Sequence, residues 1–390
     1  MRNLSSQSLS SQNFSSQNFS SQNLSASKSA APNNTLRKGT LRKGTLKKCA
    51  TLLSAALFST TVLASCSDSG TVESADTSAD PVAAGGVCAP EITELEFGII
   101  STESQANQKP KWEPFVAALS EGIGRDVKAS YATDYAGVIE AMGAGKVQMA
   151  WFGGKSYVEA AARSEAEAFA QTVAIDGSKG YYAYLITNKE NPILADIDVE
   201  AGNGDEYVVE NAENLTFAFN DPNSTSGFLV PSYYVFAENG VNPEEAFSEL
   251  VFAGSHEATA LAVANNQVDV ATNNSESLVE VEKNDPEAFE NIQIVWTSPE
   301  IPSDPIAYRS DLPDCLKAEI QNFFYSYDDE AVLGPLEWSG FDEADDTTWN
   351  TVRELEIGKT ILEVQNDDSL DAAAKEERLE ALNKELEAVK

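Results

Sequence analysis

Three consecutive hydroxyls, Ser224, Thr225 and Ser226, stand in the run Asn220-Asp221-Pro222-Asn223-Ser224-Thr225-Ser226-Gly227. The alternating apolar segment Leu215-Thr216-Phe217-Ala218-Phe219 precedes them, and a helical pattern runs from Phe228 to an Asn239-Gly240 stop. That order predicts a strand, a tight turn and a helix N-terminus. Unpaired backbone N–H groups point outward at such a terminus, and hydroxyl donors beside them suit an anion. The chain's single histidine, His256, follows Leu250-Val251-Phe252 and precedes the helical Ala258 to Ala264, a second strand-to-helix junction. From Glu190 to Glu282 there is no Lys or Arg, so an anion bound there is held by dipoles, hydroxyls or the imidazole. One shared anionic ligand accounts for both junctions.

The same residue types admit a second chemistry. Ser224 or Ser226 with His256 and Glu276 form the set of a serine hydrolase, and an enzyme secreted from the cell would carry the same kind of leader as this chain. Against it, the sequence holds no Gly-x-Ser-x-Gly elbow, and a row of hydroxyls at a helix start suits anion cradling better than one activated nucleophile.

The elements that must position these groups alternate. Strands are predicted at 94–100, 127–131, 146–151 and 180–186, with helices at 112–123, 132–142 and from Tyr157. After a polar insertion at 199–214, a second set begins at Leu215, includes Val268 to Ala271, and ends on Ile292 to Trp296. The segment Ser298 to Tyr308 reads as a return crossing. The expected fold is α/β with two lobes, a hinge of at least two crossings and a cleft between them. Residues 91–188 with 300–364 make one lobe, 189–299 the other, and 365–390 a C-terminal helix. Leu370, Leu379, Leu382, Leu386 and Val389 give that helix a partial apolar stripe, to be buried on its own domain or against a second copy of the chain as a homodimer.

Residues 1–65 carry eight Lys and Arg and no Asp or Glu. Their opening Ser/Gln/Asn repeats cannot build a core. The basic run through Lys48, the apolar segment from Ala50 to Ala64 and the sequence Leu63-Ala64-Ser65-Cys66 read as a signal peptide too short to span a bilayer. Its end is similar to a lipobox, which makes Cys66 the lipidated first residue of the mature chain and 66–90 a flexible tether. Removing that leader leaves 18 basic residues of 26 against 62 acidic ones, a net charge of −44. Such a chain has no electrostatic attraction to nucleic acid or to an anionic membrane surface. Cys49 leaves with the leader and Cys66 carries lipid, so Cys88 and Cys315 remain as one pair outside the membrane, where a disulfide is expected. No Cys/His spacing of a zinc site occurs, and no cofactor is expected.

Several blocks together resemble the periplasmic phosphonate-binding proteins, the solute receptors of phosphonate ABC importers. They are Ala132-Thr133-Asp134-Tyr135-Ala136-Gly137, Ala150-Trp151-Phe152-Gly153, Asp176-Gly177-Ser178-Lys179-Gly180-Tyr181, Asp221 to Gly227, Val268 to Asn274, and Ile301-Pro302-Ser303-Asp304-Pro305. The resemblance runs from Phe97 to the terminal helix. It implies a two-lobed type II binding-protein fold, no enzymatic activity, an extracytoplasmic location, and a permease and ATPase as partners. It also implies roles for side chains. Tyr135, Tyr181, Ser224, Thr225, Ser226 and His256 match positions that hold the phosphonate group, and Glu276 and Asp304 match carboxylates that hold the ammonium of 2-aminoethylphosphonate.

Overall fold

The computed structural model describes residues 88–390. The leader, its repeats, Cys49 and Cys66 lie outside the described residues, as does most of the tether. Two open sheets organise the rest. The first is built from β1 (Glu94–Ile99), β2 (Asp126–Tyr131), β3 (Met149–Trp151), β4 (Ala166–Ala174), β12 (Pro305–Arg309) and β13 (Trp338–Glu343). Its order is β13-β4-β12-β3-β1-β2, parallel among β2, β1 and β3 and antiparallel from β3 onward. The second contains β6 (Ala183–Asn188), β7 (Thr216–Phe219), β8 (Glu249–Phe252), β9 (Val270–Asn274) and β10 (Ile292–Thr297), ordered β10-β6-β9-β7-β8.

Between the sheets, β5 (Gly180–Tyr181) pairs antiparallel with β11 (Ile301–Pro302). These are the outgoing and returning crossings, hydrogen-bonded to each other as one ribbon. The expected lobe boundary at 188 is corrected by this pairing. β6 bonds to β9 and β10, so the chain has already entered the second lobe at Ala183. The physical reason is Tyr182, an exposed residue between two short strands, where the apolar run that reads as one strand breaks.

Each lobe has its own core. In the first, Phe97, Trp112, Phe115, Leu119 and Phe324 are buried between β1 and the helices Gln105–Ile123 and Asp314–Phe324. In the second, alternation along β7 sends Phe217 and Phe219 to one face and Ala218 to the other. Ala218 and Ala271 leave room for Ala260, Val263 and Ala264 of helix His256–Ala264. The insertion at 199–214 is not only polar surface. It folds into helix Gly204–Asn211, whose Val208 is fully buried in the second core. The first helix likewise starts at Gln105 rather than Trp112, with Pro110 and Pro114 inside it.

The C-terminal helix Ala372–Val389 folds back on helix Asn350–Asn366, and Leu379, Leu382, Leu386 and Val389 are half-buried. Helix Asn350–Asn366 spans both lobes, since its Leu355 packs against both cores. Cys88 and Cys315 are joined in a disulfide with Cα atoms 5.9 Å apart. It fastens the start of the described chain to helix Asp314–Phe324 of the same lobe. Among the described residues no helix is long and apolar enough to cross a membrane.

Candidate functional site

Both lobes contribute to one cavity, at the carboxyl ends of β3, β7 and β9. Several helix N-termini meet there. Tyr135 opens helix Tyr135–Gly143, capped by Asp134 Oδ1 accepting from Gly137 N at 2.7 Å. His256 opens its helix behind Ser255, whose Oγ accepts from Ala258 N at 3.1 Å. Asn274 caps helix Ser275–Asn284 by accepting from Ser277 N at 2.6 Å. The partial positive charge of such termini favours an anion without any basic side chain.

The hydroxyl turn leads into a helical stretch at 225–237 whose spacing is wider than an α-helix. Leu229 N donates to Ser224 O at 3.1 Å and Glu238 N to Tyr233 O at 3.0 Å, both five residues back. Pro231 has no N–H to give the carbonyl of Gly227. That carbonyl instead accepts from Asn220 N at 3.2 Å and Thr272 Oγ1 at 2.7 Å, which ties the turn to the ends of β7 and β9. Glycine is required at 227, because a Cβ there would lie 2.4 Å from Asn220 Cβ.

Each hydroxyl of the turn has its acceptor side occupied. Ser224 Oγ accepts from Gly227 N at 3.0 Å and Asn220 Nδ2 at 3.2 Å. Thr225 Oγ1 accepts from Lys155 N at 2.9 Å, across the cleft. Ser226 Oγ accepts from Asn274 Nδ2 at 3.0 Å. A hydroxyl that already accepts retains its own proton to donate, so three O–H groups remain for a ligand. His256 Nε2 stands 3.5 Å from both Ser224 Oγ and Ser226 Oγ. Those contacts are at the limit of hydrogen bonding and converge on a point between the two hydroxyls. Burial pushes the imidazole down to about 3, so the ring is neutral at physiological pH. Its Nδ1 has no hydrogen-bond partner among the described residues. A serine hydrolase needs an acid there to orient the base, and among the described residues none bonds to Nδ1.

Two acidic residues, Asp304 and Glu276, line the same cavity. Asp304, 8% exposed, sits between β11 and β12 with its Oδ1 unpartnered. Burial and the nearby Glu276 carboxylate raise it well above the usual range. Burial in the closed cleft likewise raises Glu276 to about 7. Desolvation, with the charges of Asp304 and Glu276, holds the Tyr181 hydroxyl neutral. Desolvation does the same for Tyr135, whose Oη lies 3.5 Å from Asn220 Nδ2. All eight residues singled out in the sequence, Tyr135, Tyr181, Ser224, Thr225, Ser226, His256, Glu276 and Asp304, therefore line a single cavity of ≈ 80 Å³. That is several times the roughly 10–15 Å³ a water needs, the size of a small organic ion.

Sequence reasoning missed the groups that orient this set. Asn220 and Asn274 hold the hydroxyls in place, and Asp221 accepts from Tyr135 N at 3.4 Å across the lobes. Asn274 ends the run Thr272-Asn273-Asn274, where two amides in a row at the end of a strand were the available signal. Trp112, Trp151 and Trp338 also line the cavity, with ring centroids 5.1 to 5.9 Å apart; of these only Trp151 fell in a block singled out in the sequence. Among the described residues no group of His, Cys, Asp and Glu is arranged to hold a metal ion.

The chain is similar to known proteins over most of this region. Residues 97–349 match the family described as ABC transporter, phosphonate, periplasmic substrate-binding protein. The phosphonates-binding periplasmic protein of Escherichia coli K12 is 44% identical over 280 residues, which is 71% of this chain and 80% of that protein. A crystal structure of a binding protein component of an ABC phosphonate transporter from Pseudomonas aeruginosa is also 44% identical. It superposes with a TM-score of 0.72 over 76% of this chain and 96% of that one. PhnD1 of Prochlorococcus marinus MIT 9301, solved with methylphosphonate, is 23% identical with a TM-score of 0.60, over 67% of this chain and 97% of its own. At that identity the likeness speaks for the fold.

Proposed function

The chain belongs to the periplasmic substrate-binding proteins of phosphonate ABC transporters, and from that premise we propose that its ligand is an aminoalkylphosphonate, 2-aminoethylphosphonate above all. In this reading Ser224, Thr225, Ser226, His256, Tyr135 and Tyr181 hold the phosphonate, and Glu276 and Asp304 hold the ammonium. The protein closes over the ligand, delivers it to the permease and catalyses no reaction. Cys66, lipidated, tethers it to the outer face of a membrane.

One observation carries the reading. Two carboxylates face the cavity that the hydroxyls line, and neither forms a salt bridge with a Lys or Arg among the described residues. A plain phosphonate or phosphate would leave that buried pair without a partner, a mismatch that discriminates strongly. A zwitterion satisfies both ends. Calorimetric titration of the wild type and Glu276→Gln with 2-aminoethylphosphonate and ethylphosphonate tests this. The variant is expected to lose about 1.5 to 3 kcal/mol for the amine ligand and little, or to gain, for ethylphosphonate. Equal losses on both ligands would remove Glu276 from amine recognition.

A further inference from the structure

A row of alternating charges borders the same cavity, with Glu280 one helical turn beyond Glu276. Lys111 Nζ lies 2.6 Å from Glu103 Oε1 on its own lobe and 2.6 Å from Glu280 Oε2 on the other. Glu280 Oε1 lies 3.5 Å from Lys283 Nζ, and Lys283 pairs with Glu337, back on the first lobe. The series Glu103, Lys111, Glu280, Lys283, Glu337 therefore crosses the cleft twice. The side chains of Glu103, Lys111 and Glu280 are only 10–16% exposed, and all three line the cavity, as does Glu337.

Charge counting makes this arrangement pointed. The second lobe has no Lys or Arg between Glu190 and Glu282, and both lobes of a strongly acidic chain repel each other on closing. Lys111 and Lys283 stand where the two lips meet. With Lys111 saturated by Glu103 and Glu280, it is not free to pair with Glu276 or Asp304, which stay available to a ligand cation. A ligand whose cationic end reached past Glu276 would have to enter this row and break partly buried ion pairs. Opening of the cleft breaks the same pairs.

We propose that Lys111 and Glu280 are specificity-determining residues: their ion pair forms the end wall that limits ligand length, and it holds the cleft shut over the ligand. The limit on length rests on the reading that the ammonium lies at Glu276 and Asp304; the hold on the closed cleft does not.

Stopped-flow and calorimetry on wild type and Lys111→Met, with ethylphosphonate, 2-aminoethylphosphonate and 3-aminopropylphosphonate, test both parts. The variant should release ethylphosphonate and 2-aminoethylphosphonate about tenfold faster with little change in association rate, the pattern of a lost buried pair. The wild type should prefer the two-carbon amine over the three-carbon one, and the variant should narrow that preference. A wild-type off-rate for ethylphosphonate in the variant overturns the hold on closure, whatever the amine ligands do. An unchanged ratio between the two amines overturns the length limit. Should the wild type bind neither amine better than ethylphosphonate, the ammonium reading fails and the length limit with it, and the ethylphosphonate off-rate still decides the rest. Glu280→Gln, which removes the pair from the other lobe, must act in the same direction and serves if Lys111→Met does not fold.

Discussion

At the scale of single residues, the proposed phosphonate-binding set contains no Lys or Arg. Ser224, Thr225 and Ser226 each give their acceptor side to the protein, and the neutral His256 adds its ring. On the proposed reading charge recognition falls to Glu276 and Asp304, both raised above the usual carboxylate range by burial. This has a pH consequence with a definite sign. Glu276 is raised from 4.5 to about 7, so as pH rises from 4.5 to about 7 the unfolded chain ionises first and the ligand-free protein loses stability. On the proposed reading a ligand ammonium favours the ionised form of Glu276 and displaces its proton near neutral pH. Calorimetry in two buffers of different ionisation heat should show more protons released with 2-aminoethylphosphonate than with ethylphosphonate. Equal release for both ligands would count against an ionising pair at the amine end.

Elements set the geometry. The i to i+5 bonding at 225–237 follows from Pro231 and lets the carbonyl of Gly227 anchor the turn to β7 and β9. Capped starts of helices Tyr135–Gly143, His256–Ala264 and Ser275–Asn284 then aim at the same volume. Far from the cavity, the bond between Cys88 and Cys315 closes a loop of 227 residues, and Arg125 holds the same turn before β1 through Cys88 O at 2.6 Å and Ala89 O at 3.1 Å. Since neither cysteine lines the cavity, Cys315→Ser should lower the unfolding free energy by about 2 to 4 kcal/mol and leave ligand affinity near wild type. Denaturant melts alongside titrations check this; an affinity loss as large as the stability loss would place the disulfide in the binding machinery.

On the scale of the whole molecule, two lobes are joined by a single hydrogen-bonded ribbon, β5 with β11, and bridged by helix Asn350–Asn366. Closure is marked by contacts that cross the cleft. Glu257 accepts from Ser104 N at 2.5 Å and from Asn107 Nδ2 at 3.0 Å, on the same rim as the Lys111 row. Such an acidic body is not drawn to an anionic bilayer by charge, and on the proposed reading attachment to a membrane falls to a lipid on Cys66. Cys66→Ser should move the protein from the membrane fraction to the soluble extracytoplasmic fraction and abolish its labelling by a fatty-acid analogue. Membrane retention in that variant would end the anchor reading.

Eight residues that share the cavity were legible in the sequence. The strand, turn and helix start at 215–240, the second junction at His256 and the lack of any Lys or Arg between Glu190 and Glu282 pointed to an anion held by neutral donors. Alternation of strand and helix foretold two α/β lobes, because backbone propensity, capping and side-chain period are properties of neighbouring residues. What no local pattern could carry is which termini meet. Lys111 and Glu280 are 169 residues apart, and Lys155 N reaches Thr225 across 70. The membership of β6 in the second sheet likewise depended on β9 and β10 rather than on its own residues. These were decided by strand order and by closure of one lobe on the other. Contacts of that kind are selected by the summed burial of two cores, which is distributed over the whole chain and written in no single stretch of it.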